Sequence, residues 1–195
     1  MGKVVLAFSM SLDGFIAGPE VSREDAMGQG GERLHEWMFA AEMDEADRQA
    51  VQELRTSVGA VILGRRTFEL GLQHWGDTPF PVPSFVLTHD GRPPMPMQSA
   101  SFTFVADGAQ SAVHQAKAAA GEKDVVVMGA GAAQSLLNAG LVDALNIQLV
   151  PVLLGRGTRL FENIGTDHVE LHRTRLIGTP SVTHLGFDIG QHKNT

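Results

Sequence analysis

Three segments carry residues whose types and spacing suit chemistry. In Val61–Glu69 (VILGRRTFE) an apolar run ends at Gly64 and a helix opens with Arg65, Arg66 and Thr67 at its mouth. A helix N-terminus offers free N–H groups and a positive dipole end, and guanidinium forks match phosphate geometry. Arginines that simply face solvent are the alternative. In Val125–Leu137 (VVVMGAGAAQSLL) a second apolar run passes through Gly129, Ala130 and Gly131 into a helix with Ala132, Ala133 and Gln134. Such small residues let backbone amides approach a pyrophosphate; a tight turn used only for packing is the alternative. Ser9–Pro19 (SMSLDGFIAGP) ends a buried run beside Asp13 and continues through apolar Phe15, Ile16 and Ala17, a place able to floor a planar ligand. Asp13 could equally cap local backbone. Two phosphate-type turns on separate strand–helix junctions together suit a dinucleotide with a pyrophosphate and a 2′-phosphate.

Other motifs carry less. Gln134 stands where a Rossmann fingerprint has its third glycine, and the next strand ends without a ribose-binding acid, so a Rossmann dehydrogenase does not fit. Neither G-x-S-x-G nor a P-loop occurs, which removes support for hydrolase and P-loop chemistry. With no cysteine, thiolate catalysis and disulfides are excluded. His168 and His172 are four apart and His184 falls in a following strand, but without an H-E-x-x-H pattern no metal site is expected. Trp37 and Trp75 suit packing, and Met10, Met38, Met43 and Met128 suit core filling.

The elements that must position these segments alternate in the manner of an α/β fold. Strands are expected over 3–9, 58–63, 84–88, 101–105, 124–128, 144–154, 169–177 and 182–189, the last two forming an antiparallel hairpin at one edge of a mixed sheet. Helices are expected over 32–41, over 44–57 with Asp44 as N-cap, from Gly64 through about Leu70, from a capping box at Asp107–Gln110 to Gly121, and from Gly129 to Gly140. Val21–Gly31, Gly71–Pro83 and the Pro-rich His89–Ala100 read as loops without regular structure.

The 195 residues suffice for one domain over 1–190 with a flexible tail at 191–195. Fifteen basic and 22 acidic residues leave a net charge of −7, a poor basis for binding nucleic acid. The apolar runs are too short to span a bilayer, and the N-terminus is unlike a secretory signal. A cytoplasmic protein is expected. The run LNIQLVPVLL suits either a homodimer interface or the central sheet.

The order SLDGFIAGP, ILGRRTFE, FVLTH, VVVMGAG and GLVDALNIQLVPVLLGRGTRLF resembles the dihydrofolate reductase-like superfamily, and within it the branch sharing the riboflavin-biosynthesis reductase (RibD C-terminal) domain. The resemblance covers nearly the whole chain and implies a three-layer sandwich. Its central sheet would be mixed but mainly parallel, with about eight strands, and would bind NADPH at the strand C-terminal edge. Gly64, Arg65, Arg66 and Thr67 would hold the 2′-phosphate side and the near phosphate. Thr88 and His89 would line the adenine ribose, with Arg92 assisting. Gly129, Ala130, Gly131, Ala132, Ala133 and Gln134 would cover the pyrophosphate and nicotinamide ribose. Ile16 and Ala17 would lie against the nicotinamide, with Ser9 beneath. Ala130 departs from the paired glycines of related chains.

The resemblance implies hydride transfer from NADPH to a small flat heterocycle, as in 5-amino-6-(5-phosphoribosylamino)uracil reductase, with a pterin or folate substrate as the alternative. Folate reducers carry a carboxylate on the first helix. Glu36 is the nearest candidate here, with His35 and Glu32 as rivals. Asp13 or Glu36, directly or through a held water, would supply the proton. A non-catalytic NADPH-binding module is the competing class, and a purely structural homodimer is a third.

Overall fold

A computed structural model describes residues 2–165 and 168–190; the tail expected at 191–195 lies outside the described residues. Among the described residues the strands are β1 (Val4–Ser11), β2 (Phe15–Ala17), β3 (Val58–Gly64), β4 (Ser84–Leu87), β5 (Met95–Pro96), β6 (Ser101–Val105), β7 (Asp124–Met128), β8 (Ala144–Val150), β9 (Thr158–Arg159), β10 (Leu171–Gly178) and β11 (Thr183–Ile189). The helices are α1 (Glu36–Phe39), α2 (Glu45–Ser57), α3 (Arg65–Trp75), α4 (Ala109–Ala120) and α5 (Ala130–Asn138). Nine strands form one mixed sheet in the order β10-β11-β8-β1-β7-β3-β4-β6-β5, and β2 and β9 form a separate ribbon. The centre, β8 through β6, is parallel, and β10–β11 is the antiparallel hairpin expected at one edge.

Each central strand is buried on both faces, so it reads as a continuous apolar run whose alternate residues enter different cores. Val61 and Leu63 of β3 and Val126 of β7 pack with Phe68 of α3 and Leu54 of α2. Ile62, Val125 and Val127 pack on the other side with Ala112 and Ala116 of α4 and Ala132, Ala133 and Leu136 of α5. The handedness rule for parallel crossovers explains this division. The chain leaves β3 through α3 toward β4, but leaves β7 through α5 in the opposite direction, toward β8. Right-handed crossovers in opposite directions place their helices on opposite faces. A topological switch point, where ligands bind in α/β sheets, therefore lies between β3 and β7.

Several boundaries depart from expectation. The helix begun at Gly64 does not stop near Leu70; it runs to Trp75 and ends at Gly76, whose φ of 65° is a left-handed cap. Gly71 is a packing glycine, because a Cβ there would overlap the Trp75 ring, which stacks on Phe102 with 6.4 Å between centroids. The Pro-rich segment does contain structure, since Met95–Pro96 adds an antiparallel edge to β6, where a proline's missing donor is tolerated. No capping box forms at Asp107; Gly108 is the N-cap of α4 without a side-chain hydrogen bond. The expected helix over 32–41 is split into a 3-10 turn, Gly31–Leu34, and the single turn of α1. The 144–154 run ends as a strand at Val150, one residue before Pro151. β8 lies inside the sheet, between β11 and β1. The short β2, not expected from the sequence as a strand, pairs with β9. No helix among the described residues is long and apolar enough to cross a membrane.

Candidate active site

Two helix mouths meet at the switch point. β3 and β7 are adjacent and parallel, with Leu63 beside Met128, so Gly64 and Gly129 end neighbouring strands. Gly129 has φ 87° and ψ 141°, a region that residues with a Cβ avoid. A Cβ there would also overlap the Thr67 hydroxyl of the other mouth, and one on Gly64 would lie 3.9 Å from the Ala132 nitrogen. The glycines thus bring the N-termini of α3 and α5 into contact. Ala133 N–H donates to the Gly129 carbonyl at 3.1 Å, and the N–H groups of Ala130, Gly131 and Ala132 precede that first helical bond. The side chains of Ala132 and Ala133 are buried in the core, so these residues face the crevice through backbone only.

The charge at the α3 mouth is unequal. Arg65 Nη1 donates to Asp90 at 3.1 Å, and its Nε lies 3.7 Å from Glu69. Arg66 is exposed and, among the described residues, has no ion-pair partner. The next parallel strand brings its own end to the same edge, with Leu87 paired to Gly64. Beyond it, Thr88 N–H donates to Val105 and its hydroxyl accepts from Asp90 N–H at 3.1 Å. His89 is exposed. Arg92 lies 4.6 Å over the Phe104 ring.

The Asp13 segment forms one frame with the α5 mouth. Asp13 accepts from the Ser11 hydroxyl at 2.6 Å and from Leu154 and Gly155 N–H at 3.1 and 2.7 Å. These donors, the Ser11 hydroxyl foremost and then the Gly155 and Leu154 amides, hold its carboxyl below the ordinary 3.8. Arg159 donates to the Asp13 carbonyl at 2.9 Å and covers the Phe15 ring at 4.3 Å. Gln134 Nε2 reaches the Arg159 and Leu160 carbonyls at 3.1 and 3.2 Å, tying α5 to β9. Ile16 packs in the same core as Ala132 and Ala133, and Ala17 pairs with Thr158.

On the α2 face a cavity of about 440 Å³ opens over β1, β7 and β8, lined among others by Ala7, Ser9, His35, Trp37, Met128 and His184. Ser9, 6% exposed, accepts from Trp37 Nε1 at 3.0 Å. Burial pushes the His35 imidazole below 6.5. Glu36 does not line the cavity; its side chain is 62% exposed and 3.2 Å from Arg33. Glu32 is also exposed. Two acids do line it: Glu53 of α2, held below its usual value by Arg175 Nη1, 2.7 Å away, and Asp124 at the start of β7, which accepts from Lys3 N–H. His184 is separated from His172 in the hairpin, which pairs with Asp188, and is buried against Asp47 at 2.7 Å. Sequence reasoning missed Glu53 and His184, which line the cavity, and Asp47, which holds His184 from behind. The His184–Asp47 pair joins residues 137 apart, and only the placement of α2 over β11 reveals it.

Comparison with known proteins places this architecture. Among solved structures, the chain is similar to a protein assigned to riboflavin biosynthesis from Shewanella sp. PV-4, with 21% identity over 97% of this chain and 99% of that one and a TM-score of 0.75. It is similar to the diaminohydroxyphosphoribosylaminopyrimidine deaminase/5-amino-6-(5-phosphoribosylamino)uracil reductase of Thermotoga maritima, with 14% identity, 97% and 57% coverage and a TM-score of 0.64. This chain thus spans little more than half of that bifunctional protein. Dihydrofolate reductase from Enterococcus faecalis, solved with NADP(H), shares 16% identity over 97% of this chain and 98% of its own, with a TM-score of 0.58. These likenesses establish the dihydrofolate reductase-like fold. No curated protein matches the chain. The family model for the RibD C-terminal domain matches residues 2–183, and the chain therefore belongs to that family of reductase domains.

Proposed function

We propose that this chain is an NADPH-dependent reductase acting on a small flat heterocycle of the 5-amino-6-(5-phosphoribosylamino)uracil type. The observation that carries this reading is the contact between the Thr67 and Gly129 mouths at the switch point. Bare backbone at Gly129, uncommitted N–H groups on α5 and unpaired Arg66 beside them fit a phosphorylated dinucleotide. Ala130, Gly131 and Ala132 would bind the pyrophosphate through backbone, with Gly64 and Thr67 at the near phosphate and Arg66 at the 2′-phosphate. Arg65, already held by Asp90 and Glu69, would add background charge. Thr88, His89 and Arg92 would border the adenosine end.

When bound, NADPH supplies the hydride; the chain supplies orientation and dryness. Ile16 and Ala17, fixed by β9 and Gln134, would wall the nicotinamide end above Ser9. The engaged, ionised Asp13 carboxylate serves as the anchor of this frame, a role its three donors favour over proton transfer. Exposed Glu36 keeps the proposed part of delivering the product's proton from solvent, through water. The aminopyrimidine reading is preferred over folate because the RibD C-terminal domain model matches residues 2–183, and the α2 carboxylate that lines the cavity, Glu53, is engaged by Arg175. The test follows NADPH absorbance with a ribosylated aminopyrimidine and with dihydrofolate. Decay with the former supports the reading, decay with dihydrofolate alone moves the substrate to the pterins, and decay with neither leaves the binding-module class.

A further inference from the structure

The hairpin edge of the sheet leaves an apolar face only thinly covered. On the side of α4 and α5, those helices pack chiefly on β3, β4 and β7. The sheet continues past them through β8 and β11 to β10. Strand register lines up Phe8, Ile147, Leu185 and Leu176 in one row across β1, β8, β11 and β10. The next rows hold Leu145 with Phe187 and Arg173, and Ile189 with Leu171. Paired residues share a face, so these rows extend the α5-side core outward. The cover thins along them: Ile147 is 3% exposed, Leu185 is half-buried and Leu176 is 57% exposed.

Toward the start of β10 the same face holds a socket. A crevice of about 270 Å³ is lined among others by Leu137, Leu145, Phe161, Ile164, Leu171 and Ile189. Phe161 and Leu171 are 40% and 41% exposed there. A knob at Leu176 and a socket at Leu171 thus stand on one strand, roughly 16 Å apart. The edge of that strand is blunted. Its register shifts between Arg173 and Arg175, so Thr174 and Arg175 both oppose Gly186, where a Cβ would overlap both. Arg175 is turned to the other face, where it meets Glu53. Such a bulge, with exposed His172 and Arg173 beside it, disfavours strand addition to β10. The apolar face, and not the edge, is what is left to bury.

We propose that this face binds a second copy of the chain, the two sheets packing face to face about a two-fold axis with their β10 strands antiparallel. That operation sets Leu176 of each protomer over the Leu171–Phe161 socket of the other, the reciprocal fit that a two-fold interface demands. A knob and its socket on one surface single out a copy of the same chain, because an unrelated partner would use only one of them. Charge selects no other partner, since Arg173 is the one charged member of these rows and is exposed on the outermost strand. The area suffices. Three strands and the Phe161 rim measure roughly 25 Å by 20 Å at ordinary strand spacings. Side chains standing off that face expose more than the ~500 Å² it projects, which reaches the scale of the ~800 Å² per partner in a standard interface. The face is separated from the β3–β7 crevice by β1 and β8, so the proposal stands apart from the reductase reading.

Sedimentation velocity of the full chain tests it. Wild type should sediment as a species of twice the 20.9 kDa chain mass. Leu176→Lys should raise the dimer dissociation constant by at least about tenfold, because each dimer loses two buried leucines. Phe39→Lys, at an apolar residue 76% exposed elsewhere on the surface, should leave the dimer intact. A second measurement needs no variant. In dimers mixed from 13C-labelled and unlabelled wild type, isotope-filtered NOE spectra should connect the Leu176 methyl groups of one protomer to the partner's Leu171 or the partner's Phe161. If circular dichroism shows L176K unfolded, that NOE pattern alone decides. A wild type that stays monomeric at its highest soluble concentration, a dimer as tight in L176K as in wild type, a dimer lost in F39K instead, or intermolecular NOEs confined to other surfaces would each overturn the proposal.

Discussion

Asp13 shows how a residue's partners decide its work. A lone turn acid could anchor or could move protons, and its sequence context fits both. With three donors on its carboxylate, the ionised form is strongly preferred. Its folded pKa lies below 3.8, so the stabilisation is present above the unfolded value and disappears as pH falls through the folded one. Asp13→Asn should therefore lower the melting temperature at pH 7, and the gap to wild type should close as the pH falls below 3.8; a gap that persists unchanged in acid would remove the anchoring role. The two arginines separate in the same way. Replacing Arg66 with Gln should weaken NADPH binding by about tenfold, whereas Arg65→Gln should have a smaller effect because that guanidinium is shared with Asp90 and Glu69. Titration of both variants with NADPH checks the order.

At the scale of elements, the junction of α3 and α5 depends on Gly129. Gly129→Ala meets two penalties, a φ of 87° and overlap with Thr67. The strained backbone alone costs of order 1–3 kcal/mol. Adding Thr67→Ala relieves the overlap but not the strain, so chemical denaturation of the double variant should recover only part of the lost stability. Full recovery would mean that the backbone conformation carries no cost. The junctions themselves were legible, because strand runs that pass through glycine into a helix leave a local mark. The length of α3 was not. Gly71 looks like a helix breaker, and only the Trp75 ring lying against it explains why the helix continues. Likewise, β2 is three residues long and its partner Thr158–Arg159 is 141 residues away at Ala17, so no local period announces it.

For the whole molecule, strand order determines what the local motifs mean. Gly64 and Gly129 lie 65 residues apart and could have ended strands on opposite sides of the sheet. The order β1-β7-β3-β4 makes them neighbours, and oppositely directed crossovers turn their helices to different faces. The expectation that both turns grip one dinucleotide came from resemblance and from the chemistry of each turn; their adjacency required the fold. The row of Ser9, Gln148 and His184 that lines the cavity was invisible for the same reason, since it exists only once β8 is placed between β1 and β11. The central claim is that one phosphorylated dinucleotide spans both mouths, with the α3 mouth reading the 2′-phosphate and the α5 mouth the shared pyrophosphate. It is tested most directly by measuring NADPH and NADH affinities in wild type, Arg66→Gln and Gly129→Ala. R66Q should weaken NADPH about tenfold and leave NADH unchanged, while G129A should weaken both nucleotides alike. Equal losses of NADPH and NADH in R66Q, or NADPH binding untouched by G129A, would contradict a single ligand held across the two mouths.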